Sequence, residues 1–93
     1  MIYTFTVSKR AERHIDAAYA WYEQQKTGLG IEFFEALDFA FSSIKSNPSL
    51  YSYRKSNIRG HIIKGFPYTA LFYVNKINIR IVAVFHFSLK PKI

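Results

Sequence analysis

The chain has 93 residues, 13 Lys or Arg against 6 Asp or Glu, a net charge of +7 and no cysteine. That length holds one domain, residues 1–93, with a single modest core. The missing thiols exclude disulfides, a thiol nucleophile and cysteine-based metal sites. No basic N-terminal segment leads into an apolar run, and the longest apolar stretch is broken by Arg80 and His86, so neither a secretory leader nor a membrane span is expected.

Ile2 to Val7 alternates, with Tyr3, Phe5 and Val7 on one face, which predicts a half-buried strand. Ser8 is a natural N-cap for a helix from Lys9 to Gln25, where Ala11, Ile15, Ala18, Tyr19 and Tyr22 recur at helical spacing. Lys26-Thr27-Gly28-Leu29-Gly30 ends it, with Gly28 placed for a left-handed turn. A second helix is predicted from Ile31 to Ser46 on the stripe Phe33, Phe34, Leu37, Ala40, Phe41 and Ile44, stopped by Asn47-Pro48. The short connection makes the two an antiparallel hairpin.

Leu50 to Asn57 reads as a tyrosine-bearing loop, and Ile58 to Lys64 as a short strand broken by Gly65. Pro67 opens a strand through Val74, Asn75 to Asn78 turns, and Ile79 to Phe87 is the last strand. The order β-α-α-β-β-β predicts an α+β domain with a helical hairpin on one face of a mainly antiparallel sheet. In the last strand, period-two alternation sends Ile77, Ile79, Ile81, Ala83, Phe85 and Phe87 to the core and Asn78, Arg80, Val82, Val84, His86 and Ser88 to the open face. The open face is then expected to collect Arg59, His61, Arg80 and His86, with Tyr73 or Tyr68 between them. Trp21 reads equally as a core or an interface residue.

The charge is one-sided. Asp38 is the last acidic side chain; the first 38 residues carry six acids and four bases, and the rest carry Lys45, Arg54, Lys55, Arg59, Lys64, Lys76, Arg80, Lys90 and Lys92. Unpaired charge of one sign recruits an anionic partner and makes binding salt-sensitive. An affinity indifferent to salt would point instead to an apolar interface near Trp21 and Phe34.

Arg, His and Tyr without carboxylates suit an RNA phosphodiester: His61 and His86 as base or acid, with Arg59, Arg80 and Lys64 holding phosphate charge. The plainer alternative is that His86 closes a strand end and the arginines are solvated. No metal is expected, since His14, His61 and His86 lie on separate elements without carboxylates beside the last two. No cofactor is expected either, because Gly28-Leu29-Gly30 does not follow a strand. A general nucleic-acid module would use Arg54, Lys55, Arg59 and the aromatics around them for stacking and phosphate contact. The element order is not that of an RNA-recognition fold.

Trp21-Tyr22-Glu23 with Gly28-Leu29-Gly30, Phe33, Leu37, Ile44 and Asn47-Pro48 forms one half of a familiar pattern. Ile58-Arg59, Phe66-Pro67-Tyr68, Phe72-Tyr73 and Ala83-Val84-Phe85-His86 form the other. The ordered set resembles the RelE/ParE superfamily of type II toxin–antitoxin toxins, on the ParE-like plasmid-stabilisation branch. The resemblance implies a cytoplasmic bacterial toxin neutralised by a cognate antitoxin, with no membrane and no small-molecule cofactor. ParE-like members poison DNA gyrase; RelE-like members cleave mRNA on the ribosome with Lys, Arg and Tyr or His on the open sheet face. For this chain it implies catalytic candidates Arg59, His61, Arg80 and His86, and target-binding candidates Arg54, Lys55, Lys64, Tyr73 and Lys90. Two cations expected of an mRNA-cleaving member are replaced by Thr69 and Leu89. Gyrase inhibition is therefore the leading expectation, ahead of mRNA cleavage and of a degenerate toxin that only binds its antitoxin.

Overall fold

The computed structural model describes residues 2–86. The elements run β1 (Thr4–Val7), α1 (Lys9–Gln25), α2 (Leu29–Ser46), a 3-10 turn (Pro48–Leu50), β2 (Tyr53–Lys55), β3 (Ile58–Ile62), β4 (Tyr68–Asn75) and β5 (Asn78–His86). The strands form one sheet in the order β1-β5-β4-β3-β2. β1 lies parallel to β5 and the other pairs are antiparallel. The α+β architecture and the helical hairpin are as expected; β2 is an addition, formed where a loop was predicted. It has three residues and a register shift against β3, too little to leave a period-two signal.

Local chemistry sets the helix ends. The Ser8 hydroxyl accepts from Ala11 N–H at 3.1 Å and donates to Val82 C=O at 3.2 Å, so one side chain caps α1 and ties it to β5. α2 begins after Gly28, whose φ of +90° suits glycine and which offers no capping side chain. Glu23 of α1 supplies the missing acceptor: its carboxylate takes Gly28 N–H at 3.1 Å and Gly30 N–H at 3.0 Å. An anion thus sits on the α2 N-terminus and closes the hairpin. Gly30 lets the helices approach, since a Cβ there would fall 2.6 Å from Tyr19 Cε2.

Both helices pack on one face of the sheet. Ala11, Ala18 and Tyr22 of α1 and Phe33, Leu37, Ala40 and Ile44 of α2 meet Ile63, Ala70, Phe72, Ile79, Ile81 and Val84 in the core. Tyr22, Phe33, Phe66 and Tyr68 form its aromatic end, with ring centroids 5.0–6.2 Å apart.

One irregularity redirects the last strand. Leu71 pairs with Ala83 but Phe72 pairs with Ile81, so Val82 is a bulged extra residue in β5. A single extra residue inverts the alternation beyond it. The helix side of β5 is therefore Ile79, Ile81, Val84 and His86, opposite Val74, Phe72, Ala70 and Tyr68. The expectation that Phe85 faces the core with Ile81, and that His86 shares a face with Arg80, is corrected by that bulge. Ala83 is buried as expected, though opposite Leu71, and Ile77 is exposed in the β4–β5 turn instead of buried. Phe87 and Ser88 lie outside the described residues. Beyond the bulge β1 has ended, and α1 takes over the β5 edge. Val84 N–H donates to His14 Nδ1 at 3.2 Å, and the His14 ring lies 4.8 Å from Phe85.

Candidate functional site

Cross-strand partners share a face, so the register sorts the candidate residues. Tyr73 pairs with Arg80, and Arg80 with Thr6. All three stand on the open face, where Arg80 Nη1 donates to Thr6 Oγ1 at 3.3 Å. Leu71, Thr69 and Ile62 continue this face across β4 and β3. Arg54 completes it from β2. Its side chain lies across Gly60, where a Cβ would fall 2.6 Å from Arg54 Nε. Gly60 and Ile62, which seat and floor this patch, carried no sequence signal beyond their places in an alternating strand.

Arg59 and His61 are on the other face. Arg59 pairs with Phe72 and His61 with Ala70, both core residues of β4. Their expected grouping with Arg80 is corrected by this register. Arg59 is committed to its own chain: Nη1 donates to Tyr51 C=O at 2.6 Å and Ser49 C=O at 3.3 Å. Its Nη2 donates to Tyr53 Oη at 2.8 Å, and the guanidinium lies over the Tyr53 ring, 4.0 Å from its centroid. Such a fork holds residues 49–53 against β3 rather than waiting for a phosphate. The His61 ring lies 4.3 Å from Tyr51, and burial pushes its pKa below the ordinary 6.5.

His86 pairs with Tyr68, their rings edge-on at 5.2 Å. It stands on the helix side beside the aromatic end of the core, with β4 between it and His61. Two strand spacings and a two-residue offset along β4 separate the histidine backbones by about 12 Å. Burial raises the Tyr68 pKa; for Tyr22 burial acts first and Tyr68 second in the same direction, so both phenols stay protonated near neutrality.

Lys64 is exposed in the β3–β4 connection and Lys55 ends β2. Lys90, and Leu89 with it, lie outside the described residues. Among the described residues no three His, Cys, Asp or Glu gather as a metal site, and no helix is long and apolar enough to cross a membrane. The four catalytic candidates therefore fall into three places. Arg80 is on the open face with Tyr73 and Arg54, Arg59 and His61 are on the helix side at the β2–β3 margin, and His86 is on that side by Tyr68. No shared position brings a base, an acid and a phosphate-holding cation together. The open face offers two guanidiniums, a phenol and apolar side chains, a set whose charge is complementary to an anionic or mixed surface.

The alternative apolar interface expected near Trp21 and Phe34 falls on the helices, where both side chains are exposed. Trp21 is 55% exposed and edge-on to Tyr22 at 5.1 Å, while Phe34 stacks on Tyr19 at 4.5 Å. Tyr19 and Trp21 are two positions apart and so lie on opposite sides of α1. No single groove joins Trp21 to Phe34, as an apolar interface there would have required.

The family model for the ParE toxin of the type II toxin–antitoxin system, parDE, matches residues 5–88. No curated protein matches the sequence. Among solved structures, the fold is similar to a chain described as the chromosomal ParDE TA system from P. aeruginosa. That match has a TM-score of 0.79 and 16% identity over 91% of this chain and 96% of the other.

Proposed function

The chain belongs to the ParE toxin family of type II toxin–antitoxin systems, and from that premise we propose that it inhibits DNA gyrase and is held inactive by a cognate antitoxin. The solved relative is described as a ParDE system, which supports the protein partner. The observation that carries gyrase rather than message as the target is the separation of the nuclease candidates. Transesterification of RNA needs a base at the 2′-hydroxyl, an acid at the leaving oxygen and cations on one phosphate. Here Arg80 faces away from Arg59, His61 and His86, and Arg59 is occupied by backbone carbonyls and Tyr53. A target-binding role asks only for a surface, and Arg54, Tyr73 and Arg80 supply a basic one.

The test is a supercoiling assay with purified gyrase, run beside primer extension on a reporter message in a coupled transcription–translation reaction. The reading expects lost supercoiling or accumulated cleaved DNA, with the message unbroken. New 5′ ends that depend on active ribosomes, with gyrase unaffected, would overturn it.

A further inference from the structure

Three rows of side chains cross the open face of the sheet, and each carries or meets a guanidinium. Tyr73, Arg80 and Thr6 form one end row, where Thr6 holds Arg80. Leu71 and Gly60 form the middle row, with Arg54 lying over Gly60 from β2. Ile62, Thr69 and Phe85 form the other end row. A third arginine reaches that row from α1: the Arg10 guanidinium lies over the Phe85 ring, 5.1 Å from its centroid. Four residues of β4 separate Thr69 from Tyr73, so the end rows stand about 13 Å apart along the strands.

The charges around this face are of one sign. Among the described residues Arg10, Arg54 and Arg80 have no carboxylate partner. The acids of α1, Glu12, Asp16 and Glu23, share the stripe of Tyr19, which stacks on Phe34 of α2. That stripe stands across the helix from Arg10 and His14, which meet β5. The acids of α2 lie behind the sheet, on the side of the core. The bordering loops add the exposed Lys64 and Lys76, and residues 87–93 add Lys90 and Lys92 and no acidic side chain.

Between the guanidiniums the floor is aliphatic, with Ile62 49% exposed and Leu71 half-buried. Phosphates gain nothing from such a floor, and bases find no stacking platform on it. Its rings stand at the two ends, and Phe85 is already faced by Arg10 and His14. An aliphatic centre ringed by Arg and Tyr is the composition of a protein interface. A second copy docked by two-fold symmetry is excluded, because arginines would meet arginines. What fits is an acidic protein segment with apolar side chains over Ile62 and Leu71. In an extended segment, carboxylates four residues apart span about 13 Å, the separation of the end rows.

We propose that the open face docks an acidic, extended segment of gyrase itself, not the DNA that gyrase holds, with Arg10 as its third guanidinium. The inference rests on the gyrase reading and names the chemistry of the partner at that face.

The experiment is biolayer interferometry of the full chain against three probes: purified gyrase without DNA, gyrase loaded with DNA, and a linear duplex alone. The parent is compared with Ile62→Ser and Arg10→Glu. Both positions are exposed, and a carboxylate near the start of α1 suits a helix N-terminus, so circular dichroism should show the parental fold. The expected result is binding to DNA-free gyrase that weakens about tenfold in each variant, with the duplex bound at least about tenfold more weakly than gyrase. Binding confined to the gyrase–DNA complex, a duplex held as tightly as DNA-free gyrase, or a variant that binds gyrase as the parent does overturns the inference and leaves the gyrase reading standing. No binding to gyrase with or without DNA, with supercoiling unimpaired, overturns both.

Discussion

Single side chains decide the chemistry here. Arg59 would serve a phosphate if its fork were open, but three acceptors and the Tyr53 ring occupy it. Arg59→Ala should lower the unfolding free energy by about 1 kcal/mol, read by urea denaturation, because a part-buried Tyr51 carbonyl and an exposed Ser49 carbonyl lose their charged donor. Arg59→Lys should recover little of that, since an ammonium cannot reproduce the planar fork. His14 acts through its proton. Nδ1 accepts from Val84 N–H, so the ring must be neutral there, and burial first, then Arg10 and Arg13, hold its pKa below 6.5. His61 is shifted the same way by burial. With the folded-state values depressed, the unfolded chain binds more protons as pH falls below 6.5, so stability present above that pH is lost on acidification. Urea denaturation across pH 7.5 to 5 should show the decline, and His14→Gln, whose amide oxygen can still accept, should flatten part of it.

Elements depend on groups that other elements lend them. α2 starts on a glycine and takes its cap from Glu23 of the preceding helix. Glu23→Gln should cost about 1 kcal/mol, because one amide oxygen replaces a carboxylate that accepts two N–H groups at a helix N-terminus. The loss should shrink in high salt, which screens the parent's advantage. Gly30→Ala should destabilise by about 1–3 kcal/mol, since its methyl meets the Tyr19 ring pinned against Phe34 and the helices must part. Gly60→Ala meets the exposed Arg54 side chain at Nε, 2.6 Å, and Cγ, 2.9 Å, and Thr69 Cγ2 at 3.2 Å. It should cost less while displacing Arg54, visible as a change in the Arg54 Nε–H resonance. The same logic governs β5, where Val82 turns one strand into two half-strands of opposite phase and frees Val84 N–H for His14.

At the scale of the whole molecule, the charge gradient along the chain becomes a division between layers. The six acids all lie on α1 and α2, where Lys9, Arg10, Arg13 and Lys45 offset most of them, and Arg54, Arg59, Lys64, Lys76 and Arg80 lie on the sheet or its loops with no acid beside them. The open sheet face is thereby left basic, with Arg54 and Arg80 beside Tyr73. Arg54→Glu/Arg80→Glu should weaken gyrase inhibition by about tenfold. Its melting temperature should stay within about 2 °C of the parent's, since both side chains are exposed and surface charges contribute little to stability.

The sequence alone determined the two helices, the Ser8 cap, the Gly28 turn, three of the four later strands and the family pattern. These follow from periodicity and capping, which are local and survive in the order of residues. It also set the one-sided charge, a matter of counting. Which face each candidate occupies was decided only in three dimensions. The bulge at Val82 arises from how β5 pairs with β4, and the register of β3 on β4 sends Arg59 and His61 to the helix side. Both depend on contacts between residues 9 to 13 positions apart. Alternation counts residues along one strand and carries no record of its partner, so it placed Arg80 correctly and His86 on the wrong side.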